Sequence, residues 1–262
     1  MNRTMINSVN TLSQLQKKMD VTSGNVANMN TVGYKRNEAT FSDLIHQQAI
    51  NMYRENEEVG RLTPAGIRLG AGAMMAQTQM IGTQGALQQT GRTLDFGLSK
   101  PNQFFKVLVQ DEQGRSSVNY TRNGSFSVTP AGGNNVMLVT SEGYPVLDEN
   151  DNPIVLAPEE MEEQASGLIG LVEVDKPQFL ERSSATMFAL PENPPTAENQ
   201  ILRNLNAAER QEAGLQAGAL EMSNVDFSKE MSDLMVTQRA YQFQSKAISI
   251  ADQMLGLING VR

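Results

Sequence analysis

Both ends of this 262-residue chain are long segments without glycine or proline, each with a stripe of apolar residues at helical spacing. Glycine and proline are what a helix interior tolerates least, so their absence from 1–23 and 219–255 permits an unbroken helix at each end. In the first segment Met5, Val9, Leu12 and Met19 recur by fours, threes and sevens. In the second, Phe227, Met231, Leu234, Tyr241, Ile248, Leu255 and Ile258 do the same, with Gln238 and Ser245 as polar interruptions. A narrow apolar stripe cannot be buried against its own helix, so each helix needs a partner. The pattern predicts that the terminal helices pair as a coiled coil and that assembly, rather than chemistry, is the role of the ends. Several of the fifteen methionines lie near these ends, and flexible thioethers suit an interface that packs differently against several neighbours.

The middle changes period. From about residue 87, short runs such as 104–109, 117–122, 125–128, 136–139, 168–174 and 187–190 alternate or are continuously apolar. Turn signals separate them, among them Asn123-Gly124 and Glu142-Gly143. This predicts an antiparallel β domain. The chain therefore divides into an N-terminal core helix (1–30), an extended, partly helical stretch (31–86), a central β domain (87–195), a polar return linker (196–222) and a C-terminal core helix (223–262). Within the second segment, Phe41, Leu44, Ile45 and Ile50 suggest a weak helix over 41–57, and the glycines and proline of 59–75 suggest extended chain. Ser223 and Asp226 suit the start of the last helix. The fold class expected is α+β, with paired terminal helices and a central antiparallel all-β domain.

Composition narrows the chemistry. There is no cysteine, so disulfides, thiolate zinc sites and cysteine nucleophiles are excluded. The single histidine, His46, is too little for a histidine metal site or a hydrolytic triad. Asp148, Asn150, Asn152 and Glu159 match calcium-loop positions, but Pro153 stands where such a loop turns on glycine, and a capped turn explains the same residues. The glycines of 66–72 lack the Gly-Lys-Ser/Thr of a phosphate loop. No catalytic residue, metal site or cofactor is expected. The net charge of −8 is concentrated: residues 142–200 hold thirteen acids against Lys176 and Arg182, which argues against nucleic acid and for a solvated outer surface. No run approaches the roughly 18 apolar residues of a membrane span, so no membrane insertion is expected. Arg3 is followed by no continuous apolar region, so no cleaved signal peptide is expected either.

Two longer motifs add a resemblance. Asn25-Val26-Ala27-Asn28-Met29-Asn30-Thr31-Val32-Gly33-Tyr34-Lys35-Arg36 resembles the N-terminal motif of the bacterial flagellar axial proteins, the rod and hook subunits of the basal body. Leu220 to Asp226, continuing through Gln238-Arg239-Ala240-Tyr241, resembles their C-terminal motif. Thr83 to Gly91, Tyr120 to Phe126 and Glu142 to Pro145 resemble the β domain of distal rod members. One departure is Lys100-Pro101-Asn102-Gln103-Phe104-Phe105, where the family usually carries Gly-x-Gly-Phe-Phe; a distal rod protein and a hook-basal-body paralogue both stay open.

The resemblance implies that the terminal helices pair within a subunit and line a hollow helical tube that transmits torque, with the β domain outside. It implies copies of the chain and other axial proteins as partners, and delivery through the flagellar type III export apparatus without a cleaved signal. The assembly surface expected combines the two stripes with Val26, Asn28, Asn30, Gly33, Tyr34 and Arg239. Two other classes compete: a ligand-binding β domain with helical extensions, and an adaptor that closes into a small coiled-coil bundle.

Overall fold

The glycine-free ends are helical except for 219–226. The computed structural model describes residues 2–43, 47–49, 67–69, 73–110, 114–133, 135–191, 197, 200–206, 209–210 and 214–260. Helix α1 spans Asn2–Ala27, and the C-terminal helix, α3 below, spans Phe227–Gly260; its 34 residues extend about 50 Å at 1.5 Å per residue. The chain forms two compact units. Unit 1 comprises 1–24, 37–79 and 228–262; unit 2 comprises 25–36 and 80–227.

In unit 1, α1 and α3 are in contact, as the stripes predict. The stretch expected as a weak helix at 41–57 begins instead as strand. Residues Asn37–Asp43 form β1, which pairs with β4 (Ala73–Met80), and Gln47–Ala49 form β2, antiparallel to β3 (Ile67–Leu69). The physical reason lies in the alternation Ala39, Phe41 and in tertiary partners. The Lys18 ammonium lies 5.4 Å from the Phe41 ring centroid, and Thr40 Oγ1 donates to Gln77 O at 3.3 Å. Leu44, Ile45, His46 and Ile50 lie outside the described residues, as do 59–66 and 70–72.

Unit 2 is the expected antiparallel β structure. Its largest sheet has the order β13-β14-β8-β7-β12-β15, built from Glu181–Arg182, Met187–Ala189, Ser116–Thr121, Gln103–Gln110, Leu171–Val174 and Leu202–Asn204. Adjacent Phe104 and Phe105 in β7 point to opposite faces, and both faces are buried. On one face Phe105 packs edge-on against Phe126, their centroids 5.2 Å apart, within a core that includes Leu138, Val146, Ile154 and Ile169. On the other, Phe104 meets Phe188 at 5.8 Å among Tyr120, Val172 and Ile201. Each such phenylalanine contributes on the order of 2–3 kcal/mol by burial. The first face is covered by the sheet β9-β10-β11 (Phe126–Gly132, Asn135–Thr140, Val155–Leu156) and by helix α2 (Pro158–Leu168). The β9–β10 hairpin ends at Gly132 and Gly133, both exposed.

Three parts of this unit differ from the sequence expectation. Helix α2 lies inside the acidic region; Pro158 opens it and Glu159 and Glu160 occupy its positive first turn. The stretch read as a polar linker supplies β15 to the main sheet, then β16 (Gln216–Ala217) and β17 (Ala219–Glu221). Those last two pair with β6 (Phe96–Gly97) and β5 (Leu87–Gln89). Finally, α3 starts at Phe227 rather than at Ser223, whose Oγ accepts from Val225 N at 3.4 Å.

Candidate assembly interface

The seven-residue period of α3 is carried by two parallel stripes. The less exposed one runs through Glu230, Leu234, Thr237, Tyr241, Gln244, Ile248, Ala251 and Leu255, alternating steps of four and three. On α1 the matching half-buried stripe is Met5, Ser8, Leu12, Leu15 and Met19, with Thr22 buried. Of the predicted residues, Met5, Leu12, Met19, Leu234, Tyr241, Ile248 and Leu255 therefore lie on these stripes, and Met231 is half-buried beside them. Val9, Phe227, Gln238, Arg239 and Ile258 are exposed, as is Ser245. The polar interruptions are thus Glu230, Thr237 and Gln244, the last two one position before those expected. Thr237 is satisfied by its own helix, donating from Oγ1 to Asp233 O at 2.7 Å.

A second apolar stripe lies about 100° around α3, one residue back. Val236, Phe243, Ile250 and Leu257 recur every seventh residue and are 61%, 77%, 55% and 71% exposed. Ala240 and Met254 fill the steps between them on the exposed side, with Ala247 half-buried. The heptad spacing of this face is legible in the sequence, but the neighbouring stripe alone already accounts for a paired helix. On α1, Ile6 and Val9 are also exposed, and with Met5 and Asn10 they line a cavity of about 380 Å3. A helix with two adjacent apolar stripes suits helices on two sides rather than a two-stranded coil.

The N-terminal motif has a different role in unit 2, where it is clamped. Asn25 Oδ1 accepts from Tyr34 OH at 3.1 Å, Asn28 Oδ1 accepts from Thr31 Oγ1 at 3.2 Å, Val26 is half-buried and Asn30 exposed. Gly33 takes a φ of +70°, and a Cβ there would stand 2.4 Å from Asn123 N. Its N–H donates to Glu221 O at 2.8 Å. Lys35 Nζ, fully buried, donates to Thr83 O and to Glu221 Oε1, both at 2.7 Å. Arg122 donates to Glu221 Oε2 through Nε at 2.7 Å and through Nη2, and through Nη1 to the carbonyls of Lys100, Pro101 and Gln103. The departure at 100–103 thus supplies backbone oxygens to the clamp. Gly85 N donates to Glu221 Oε1 at 2.8 Å, and a Cβ on Gly85 would lie 1.9 Å from Met222 O. Asn224 closes the edge, accepting from Arg36 N and donating to Ile81 O and Thr83 O. The Arg182 guanidinium lies over the Tyr34 and Phe188 rings and donates to Lys35 O.

The cluster holds two cations on one carboxylate. Burial, and then the Arg122 charge, push the Lys35 ammonium down to about 8 against the opposing pull of Glu221. Burial likewise lowers Arg122, opposed by Glu221. Lys35, Arg122 and Glu221 all stand in the motifs quoted above, but nothing in the sequence marks them as partners. Elsewhere, Asp148 Oδ1 accepts from the N–H groups of Asn150 and Asn152, a loop capping itself as the turn reading of 148–152 expects.

The comparisons follow the same segments. Residues 5–35 match the flagella basal body rod protein family, and residues 216–261 match the C-terminal family of the flagellar basal body rod FlgEFG proteins. Over 99% of both chains the protein is 41% identical to the flagellar hook-basal body complex protein FlhP of Bacillus subtilis. It is 32% identical to the flagellar basal-body rod protein FlgG of Borreliella burgdorferi, over 100% of this chain and 99% of that one, and 29% identical to FlgG of Bacillus subtilis over 97% and 96%. Two terminal motifs and relatives matched across their full length leave one conclusion: the chain belongs to the flagellar basal-body rod protein family.

Proposed function

We propose that subunits of this chain build an open helical array by packing the exposed α3 stripe of one copy against terminal helices of its neighbours. As a member of its family the protein is a structural subunit of the flagellar basal-body rod, and not an enzyme. The observation that carries the assembly reading is the run Val236, Phe243, Ile250 and Leu257, a continuous apolar face on a helix whose other stripe is already turned inward. Leaving such a face in water is unfavourable, and a heptad repeat is matched best by other helices. The contact is heterologous, one patch meeting a different one, and with a helical offset between neighbours it propagates rather than closing into a ring. The partners are copies of this chain and other axial proteins, with delivery by the flagellar type III export apparatus, and the finished tube transmits torque. Sedimentation velocity with negative-stain microscopy across a concentration series tests this. Tubes that lengthen with concentration support it; a species of small, fixed size would mean a closed bundle instead.

A further inference from the structure

We infer that Glu221 is a closing latch: unit 2 completes its fold around residues 31–36 only once the strand carrying Glu221 has docked. Lys35 and Arg122 are buried cations, and among the described residues the carboxylate that pairs with both comes from 186 and 99 positions further along the chain. Without it, closing the cluster brings two like charges together away from water, which disfavours the closed state. The backbone follows the same dependence. Gly33 N finds Glu221 O, Gly85 N finds Glu221 Oε1, and Met222 N finds Ala86 O at 2.9 Å. At Gly85 the docked segment meets the chain backbone to backbone, the Met222 carbonyl leaving no space for a side chain, so a loosely docked strand satisfies none of these bonds.

The β7–β8 and β9–β10 hairpins have no such need. Each pairs neighbours in sequence, and Leu108 N and Leu138 N bond to Pro145 O and Ile154 O. Local hairpins close small loops, whereas the latch closes one that spans most of the chain, and loop closure favours the former first. A chain threaded through a narrow passage from its N-terminus therefore keeps 31–36 unlatched until residue 221 is delivered. This inference stands apart from the assembly reading.

Pulse-labelling hydrogen exchange during refolding of the full-length chain tests it, with Glu221→Gln as the isosteric variant. The amides of Leu108 and Leu138 should gain protection first, and those of Gly33 and Gly85 in a later phase. In Glu221→Gln the final protection of Gly33 and Gly85 should fall at least tenfold while Leu108 and Leu138 keep theirs. Lys35→Met, which leaves the Arg122–Glu221 pair, should still show the late phase. The inference is overturned if Gly33 and Gly85 are protected together with the sheet, or if Glu221→Gln leaves them protected. It is equally overturned if that variant exposes the sheet amides as much, since Glu221 would then be part of the core.

Discussion

At the scale of single residues, the buried cluster around Glu221 makes unit 2 respond to pH in an unusual direction. Lys35 titrates at about 8 when folded and near its ordinary 10.5 when unfolded. Between those values the unfolded chain binds more protons than the folded one, so this group adds stability as pH rises and adds none below about 8. Urea midpoints should therefore climb from pH 8 to pH 10 in the wild type relative to Lys35→Met; parallel profiles would contradict this. Gly85 is constrained more simply. Its missing Cβ would overlap the Met222 carbonyl, backbone against backbone, so no rotamer change relieves Gly85→Ala. The expected loss is roughly 2–4 kcal/mol, read as a lowered denaturation midpoint of unit 2. Tyr34 and Gly33 were identifiable from their motif, yet the Lys35–Glu221 pair was not. A charged residue in a short apolar strand signals that it needs a counter-charge, but it does not say which one, 186 residues away.

Among the elements, α3 shows how narrow the margin of a periodic reading is. Successive residues differ by about 100° on a helix, so a one-position shift exchanges Gln238 for Thr237 on the inward face. The stripe through Leu234, Tyr241, Ile248 and Leu255 was legible because its apolar residues are large and evenly spaced. The outward stripe was passed over because a single seam already satisfied the pattern. The two faces predict separable phenotypes. Phe243→Ser should reduce assembly by tenfold or more in sedimentation while the monomer's circular dichroism and melting temperature stay unchanged. Ile248→Ala, on the inward stripe, should instead lower the monomer's melting temperature, at a cost of about 1–3 kcal/mol for a half-buried site. Short elements were the least legible. Strands β15, β16 and β17 have two or three residues each, too few to display a period, and only their pairing with β12, β6 and β5 defines them. The helix expected over 41–57 gives way at its start to the end of strand β1, because apolar spacing over so few residues fits either period.

For the molecule as a whole, the division into two units changes where the chain can be cut. A deletion of 1–30 suggests itself as a way to remove the N-terminal helix alone. It would also remove Asn25, whose side chain accepts from Tyr34 in unit 2. A deletion of 2–24 respects the boundary, and should abolish rod assembly and motility in cells while unit 2 keeps its near-ultraviolet dichroism. Retained motility in that deletion would argue against terminal helices as the assembly surface. The α+β class and the position of the β domain were legible because long uninterrupted helices and repeated turn signals are local properties. The clamp was not, because it joins distant parts of the chain that only the fold brings together. The β9–β10 hairpin belongs to neither the clamp nor either stripe, and its tip at Gly132–Gly133 is open to solvent with nothing within 4 Å of an added Cβ. A short epitope inserted there would be carried by every subunit at the same place, so antibody-decorated rods would display their own helical repeat as a visible ruler.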